Sequence, residues 1–181
     1  LRLVPLRAGA GLPGPDAAGV HARGVVRGAG GAARAISVEM ALAGAASITI
    51  LNVHDTGQEL ADLLNDKTPA KADFVFWNHS YQIPPDTDIV INATPVGLYP
   101  NVDQRLNMDS DTFQPHMVVA DCIPNPAYTH FVKDAIARGC HHVLPGMNML
   151  VNQAVIAVKY WTGVDVEAEV MRNELKKVLD L

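Results

Sequence analysis

From Gly24 onward, short unbroken apolar runs alternate with segments of helical period, and that alternation leaves few folds open. Apolar runs bounded by glycine, proline or asparagine read as strands buried on both faces. Strands separated by helices return by right-handed crossovers to lie parallel. The expected strands are 25–26, 47–51, 74–77, 89–91, 117–120 and 142–144, and the expected helices are 32–43, 56–64, 128–138, 149–161 and 166–179. This order predicts an α/β fold, a doubly wound and mainly parallel sheet covered by helices on both faces.

The opening segment is different. Residues 1–23 are dominated by Ala, Gly, Pro and Arg, hold no aromatic residue and follow neither the two-residue nor the 3.6-residue period. They are expected to be poorly ordered, ahead of one ligand-binding domain over residues 24–181. An apolar fraction of 49% and a charged fraction of 18% in 181 residues suit one compact domain. The net charge of −5 argues against a nucleic-acid partner. No apolar run approaches the ~20 residues that span a bilayer, and a membrane partner is not expected. Cys122 and Cys140 form no CxxC pair, so a reducing, cytoplasmic setting is expected. The histidines lack an HExxH spacing, and there is no G-x-S-x-G elbow, so neither a zinc site nor an acyl-transfer nucleophile is assigned.

Gly28-x-Gly30-x-x-Ala33 falls between the first strand and the first helix, where a Rossmann-like dinucleotide fold has its phosphate turn. The first glycine makes the turn, the second admits a pyrophosphate, and the third small residue lets the helix pack close with its N-terminus toward the phosphates. Gly28, Ala29, Gly30, Gly31 and Ala32 are the candidate contacts. Arg27 stands where such a strand is normally apolar, so the first strand is expected to be frayed or displaced there. At the end of the second strand, Asn52, His54 and Asp55 stand where the adenosine ribose is read. An acidic side chain suits the free hydroxyls of NAD and repels the 2′-phosphate of NADP, and after Leu51 no Arg or Lys comes before Lys67. NAD is expected over NADP, although Asp55, like Thr56, also suits a helix cap.

Three later strings are similar to motifs of one family. Residues 91–97 (INATPVG) resemble the NATPxG segment of shikimate dehydrogenases, and residues 121–129 (DCIPNPAYT) resemble their D-x-x-Y-N-P-x-x-T. Residues 146–153 (GMNMLVNQ), followed by Trp161-Thr162-Gly163, resemble G-x-x-M-L-x-x-Q and the closing W-T-G. On these strings the chain from Gly24 onward is identified as a member of the shikimate/quinate dehydrogenase family. The resemblance implies that Thr94, Pro95, Val96, Cys122, Asn125, Gly146 and Met149 join the cofactor contacts and that Gln153 contacts the substrate. Gly146 is expected to let the backbone approach the nicotinamide. Asn92 and Thr94 also read as turn residues, and Met147, Met149 and Trp161 as packing.

The implied activity is hydride transfer between the nicotinamide and the 3-position of shikimate or quinate, a small-molecule oxidoreductase reaction of aromatic amino acid biosynthesis. Two departures bear on it. The family's N-R-T appears as Asn52-Val53-His54 with Asp55 next, as in its NAD-using or dual-specificity branch. The family's substrate-touching tyrosine is Pro124 here. The family's catalytic Lys–Asp pair sits on an N-terminal domain of roughly a hundred residues. Nothing before Gly24 resembles that domain, so no catalytic residue is assigned and the chain alone is expected to be inactive. A non-catalytic nucleotide-binding module, or a related dehydrogenase such as a methylene-tetrahydrofolate dehydrogenase or a glutamyl-tRNA reductase, stands as the alternative. The last helix carries Val166, Val170, Leu175, Val178 and Leu179, which predicts an exposed apolar patch prone to self-association.

Overall fold

The computed structural model describes residues 22–179, and the expectation for the opening segment therefore lies, up to residue 21, outside the described residues. Along the chain come β1 (Arg23–Arg27), α1 (Gly31–Leu42), β2 (Ser47–Asn52), α2 (Thr56–Lys67), β3 (Lys71–Phe76), β4 (Ile89–Asn92), β5 (Val118–Asp121), α3 (His130–Ala137), β6 (His142–Leu144), α4 (Gly146–Thr162) and α5 (Ala168–Leu179), with a short 3-10 turn at Ser110–Thr112. The strands form one six-stranded sheet in the order β3-β2-β1-β4-β5-β6. Every pairing is parallel. The order reverses between β1 and β4, which is where a doubly wound α/β sheet opens its ligand crevice.

The two-residue period of the strands splits the core between the two faces of the sheet. Val26, Ile48 and Ile50 face α1 and α2 and pack with Ala33, Ile36, Leu60 and Leu64. Val25, Leu51, Val90 and Val119 face the other way, with Phe113, Met117, Phe131 and Val132. Leu60 and Leu64 are fully buried one turn apart on α2. Burying each stabilises the fold by ~1.5–3 kcal/mol, which fixes the helix on the sheet.

Several boundaries differ from the sequence expectation. β1 is not frayed, since Arg27 lies in register with Leu51 on one side and Asn92 on the other. β3 starts at Lys71 and leaves Trp77 just beyond its end. α2 runs on to Lys67. α3 starts at His130 because the Thr129 side chain caps it, accepting from the Val132 N–H. α4 starts at Gly146, not Met149, because Pro145 sets the extended conformation that precedes a first helical turn. Among the described residues, no helix is long and apolar enough to cross a membrane.

Candidate functional site

Because all six strands run the same way, the loops after β1, β2, β4 and β6 open on one edge of the sheet. That edge collects Gly28, Asp55, Thr94 and Gly146, the four points the sequence singled out. Gly28 has a φ of +109°, and a Cβ there would lie 2.7 Å from the Ala93 carbonyl oxygen, so only glycine lets the turn pass the end of β4. Its N–H donates to Leu51 O at 2.8 Å. At Gly30 and Gly31 a Cβ would meet nothing within 4 Å. Gly30 is the N-cap of α1, no side chain caps that end, and its first turn holds no acid. The unmet N–H groups and the helix dipole thus face open space, and the residues present fit a phosphate group. Ala29 packs against the core below the turn. Ala32 is exposed beside it, and Ala33 is fully buried, bringing α1 close to the sheet.

At the end of β2 the Asn52 side-chain amide donates to His54 O at 3.1 Å and to Thr56 Oγ1 at 2.9 Å, pinning the loop. His54 and Asp55 are exposed. Asp55 occupies the N-cap position of α2, yet its side chain makes no capping hydrogen bond. Its carboxylate is free for a ligand, and the cap reading does not describe it. Between residues 51–54 and 94–96 lies a cavity of about 310 Å³, with Arg27 also in its lining.

Arg27 is the feature that sequence reasoning misread. Its side chain crosses β2 and sets the guanidinium 3.2 Å above the centroid of the Trp77 ring. The residue is 6% exposed. Its Nε and Nη1 are buried with no hydrogen-bond partner. Burial lowers its pKa to about 9, which leaves it charged at neutral pH. Trp77 is held in place by its own backbone N–H on Asn52 O at 2.8 Å and by its indole N–H on Asn107 O at 3.1 Å. The signal was available in the sequence. Val75 lies on one face of β3 and Trp77, just past its end, continues the same two-residue alternation, so an arginine placed two strands away on that face points toward them.

The ends of β4 and β5 are tied by a buried polar network. Asn92 Nδ2 donates to Asp121 Oδ1 at 3.0 Å, the Ile123 N–H donates to the same oxygen at 3.0 Å, and the Thr129 hydroxyl donates to Asp121 Oδ2 at 2.6 Å. Asn92 Oδ1 in turn accepts from the Thr94 N–H and hydroxyl, at 3.1 and 2.7 Å. One buried carboxylate thereby fixes both loops. Burial raises the pKa of Asp121, and these hydrogen bonds oppose the rise. Asn92 and Thr94 act as the turn residues expected of them, while Pro95 and Val96 follow on into the cavity wall. Cys122 donates its N–H to Asn92 O at 2.9 Å. Burial and the neighbouring Asp121 push its thiol up to about 11, the opposite of an activated nucleophile.

Gly146 has a different reason to be glycine from the one expected. A Cβ there would lie 2.3 Å from Ile123 O and 2.6 Å from Ile123 N. The glycine lets α4 abut the loop after β5, and the close approach is to backbone of this chain. Met149 is partly buried against the α1–α2 face of the core. Asn125 accepts the Tyr99 N–H at 3.0 Å, joining the loops after β4 and β5. Gln153 is exposed on α4 and, counted from Gly146, two turns into it. Beyond it the helix becomes strongly exposed, with Tyr160 at 85% and Trp161 at 81%. None of the side chains described for α5 is buried.

A family model for the shikimate 5′-dehydrogenase C-terminal domain matches residues 146–176. The shikimate dehydrogenase (NADP(+)) of Desulforamulus reducens is 36% identical over 156 residues, covering 84% of this chain and 53% of the relative. The chain spans about half the length of the curated relatives it matches. A ligand-free 5-ketofructose reductase of Gluconobacter sp. strain CHM43 superposes with a TM-score of 0.81 at 46% identity, covering 87% of this chain and 57% of that one. A shikimate dehydrogenase solved with NADP+ gives a TM-score of 0.76 at 33% identity, covering 87% of this chain and 55% of that one. With the expected motifs assembled on one sheet edge and these matches in hand, the chain belongs to the shikimate dehydrogenase family and has the fold of that family's C-terminal domain.

Proposed function

We propose that this domain binds a nicotinamide dinucleotide along its carboxyl edge and serves a dehydrogenase acting at the 3-position of shikimate or quinate. The observation that carries the reading is the open N-terminus of α1 at Gly30 and Gly31, set beside a cavity walled by residues 51–54 and 94–96. Pyrophosphate on the turn, adenosine in the cavity and nicotinamide near Thr94 and Met149 follow the run of the edge. A bound dinucleotide supplies the hydride donor or acceptor. The residues of this chain bind and orient it, and the Asn92–Asp121–Thr129 network keeps the two loops from yielding. The free carboxylate of Asp55 supports NAD over NADP, since it suits two ribose hydroxyls and repels a 2′-phosphate. Gln153, exposed on α4, offers an amide donor and acceptor to a substrate hydroxyl.

Ketone reduction also needs a positioned proton donor, a contribution typically worth about 10²–10⁴-fold. Asp121 is fully engaged in the loop network, and the family resemblance assigns the Lys–Asp pair to the half of the relatives' length that this chain does not span. The chain alone is therefore expected to bind cofactor weakly and turn over negligibly. Mixing it with a separately produced N-terminal domain of a relative tests this. Restored NAD-dependent oxidation of shikimate or quinate is the expected result, and no activity despite demonstrated association contradicts it.

A second reading concerns the substrate. The 46% identity to a 5-ketofructose reductase, with Pro124 where the resemblance places a substrate-touching tyrosine, supports a different polyhydroxy ketone as substrate. Running the mixed assay with dehydroshikimate, dehydroquinate and 5-ketofructose separates the two.

A further inference from the structure

The cavity between the loops after β2 and β4 has apolar walls at Leu51, Val53, Pro95 and Val96, yet Arg27 is among its lining residues. Arg27 is buried, its Nε and Nη1 meet no acceptor, and no carboxylate is among the residues that line the cavity. Buried charges in folded proteins are paired, and an aliphatic side chain would fill this strand position without leaving orphan donors. One face of the guanidinium is already supported by Trp77, itself pinned at both its N–H groups. Nε and Nη1 are sealed from the cavity, so the edge at Nη2 is the part of the guanidinium that a ligand there would meet.

We propose that Arg27 is the base-reading residue of this site, its guanidinium held on Trp77 and engaging the purine ring of the adenosine half by stacking or by donation to a ring nitrogen. This rests on the dinucleotide reading above and adds a specificity-determining residue to it. A planar base fits better than a phosphate for two reasons. Its flat faces suit the four apolar walls, where an anion would have to shed its hydration. Its ring nitrogens are neutral acceptors, and the Asp55 carboxylate next to the lining loop does not repel them.

The test is isothermal titration of the full chain and its Arg27→Leu and Arg27→Lys variants with ADP, adenosine 2′,5′-bisphosphate and NAD+. A contact of this kind is worth about threefold to thirtyfold in affinity. Arg27→Leu is expected to weaken ADP and NAD+ by that factor while keeping a cooperative unfolding transition. Arg27→Lys, which keeps the charge but loses the plane, is expected to fall between. It also serves as the readout should the leucine variant fail to fold. Unchanged ADP affinity in the variants overturns the proposal, and so does a loss confined to the 2′-phosphate compound, which would put a phosphate on the guanidinium. Wild-type binding of NAD+ with an indifferent Arg27 removes only this inference. A wild-type chain that binds neither ADP nor NAD+ removes the cofactor reading with it.

Discussion

Replacing Arg27 with leucine should make the domain more stable while weakening its ligand. Burial lowers the Arg27 pKa to about 9, well below the ordinary guanidinium range, a fall equivalent to ~5 kcal/mol against the charged form. A leucine removes that penalty and adds apolar burial. Leucine also gives up the contact with Trp77, worth ~2 kcal/mol when desolvated, which offsets part of the gain. Arg27→Leu should therefore raise unfolding stability by ~2–4 kcal/mol in urea denaturation at pH 7. The pH dependence has a definite sign. A cation whose folded pKa is depressed binds fewer protons folded than unfolded, so its penalty is fully present below about pH 9 and is relieved as the pH rises toward the unfolded value. The gap between variant and wild type should accordingly shrink above pH 9, by up to ~1.4 kcal/mol per pH unit. A variant less stable than wild type, or a gap that does not change between pH 8 and pH 10, refutes this reasoning. It would mean that Arg27 is compensated by something other than Trp77.

Other perturbations have equally definite outcomes. Gly146→Ala places a methyl group 2.3 Å from Ile123 O, and because that neighbour is backbone the loop must move; a loss of ~1–3 kcal/mol in chemical denaturation is expected. Thr129→Val leaves Asp121 Oδ2 without its 2.6 Å donor and removes the cap of α3, and should cost ~2–4 kcal/mol by the same assay. Asp55→Ala should lower the NAD+/NADP+ affinity ratio without changing the melting temperature, since its side chain makes no capping bond; an unchanged ratio by titration counts against Asp55 as the ribose reader. Tyr160 and Trp161, 85% and 81% exposed, should drive self-association at high concentration, and replacing both with serine should shift light scattering toward the monomer mass.

The pattern of strands and helices was legible because the central strands, such as β2 and β4, are apolar runs rich in β-branched residues, and α2 keeps its helical period. That the glycine turn, Asn52, Asp55 and Thr94 would meet on one sheet edge could also be read, because their positions follow from where strands end. What escaped was set by contacts between elements. Arg27 looked like a defect in β1 because its partner, Trp77, is fifty residues on and two strands over. The packing of Gly146 against the Ile123 backbone cannot be seen from its own neighbours in the sequence. The helix start at Gly146 was hidden by the weak apolar period of its first turn, and the Pro145 signal was available but unread. Loops such as residues 96–117 carry no period at all, and the 3-10 turn within them had no signature.

The central claim is that one ligand spans the turn at residues 28–33, the loop at residues 52–55 and the loop at residues 94–96. A nuclear magnetic resonance titration of the isotopically labelled chain with NAD+ measures this directly. Saturable backbone shifts concentrated at those three segments are predicted, with α5 unaffected. Shifts that do not saturate, or that fall on α5 and the far ends of the strands while the glycine turn stays silent, contradict the account.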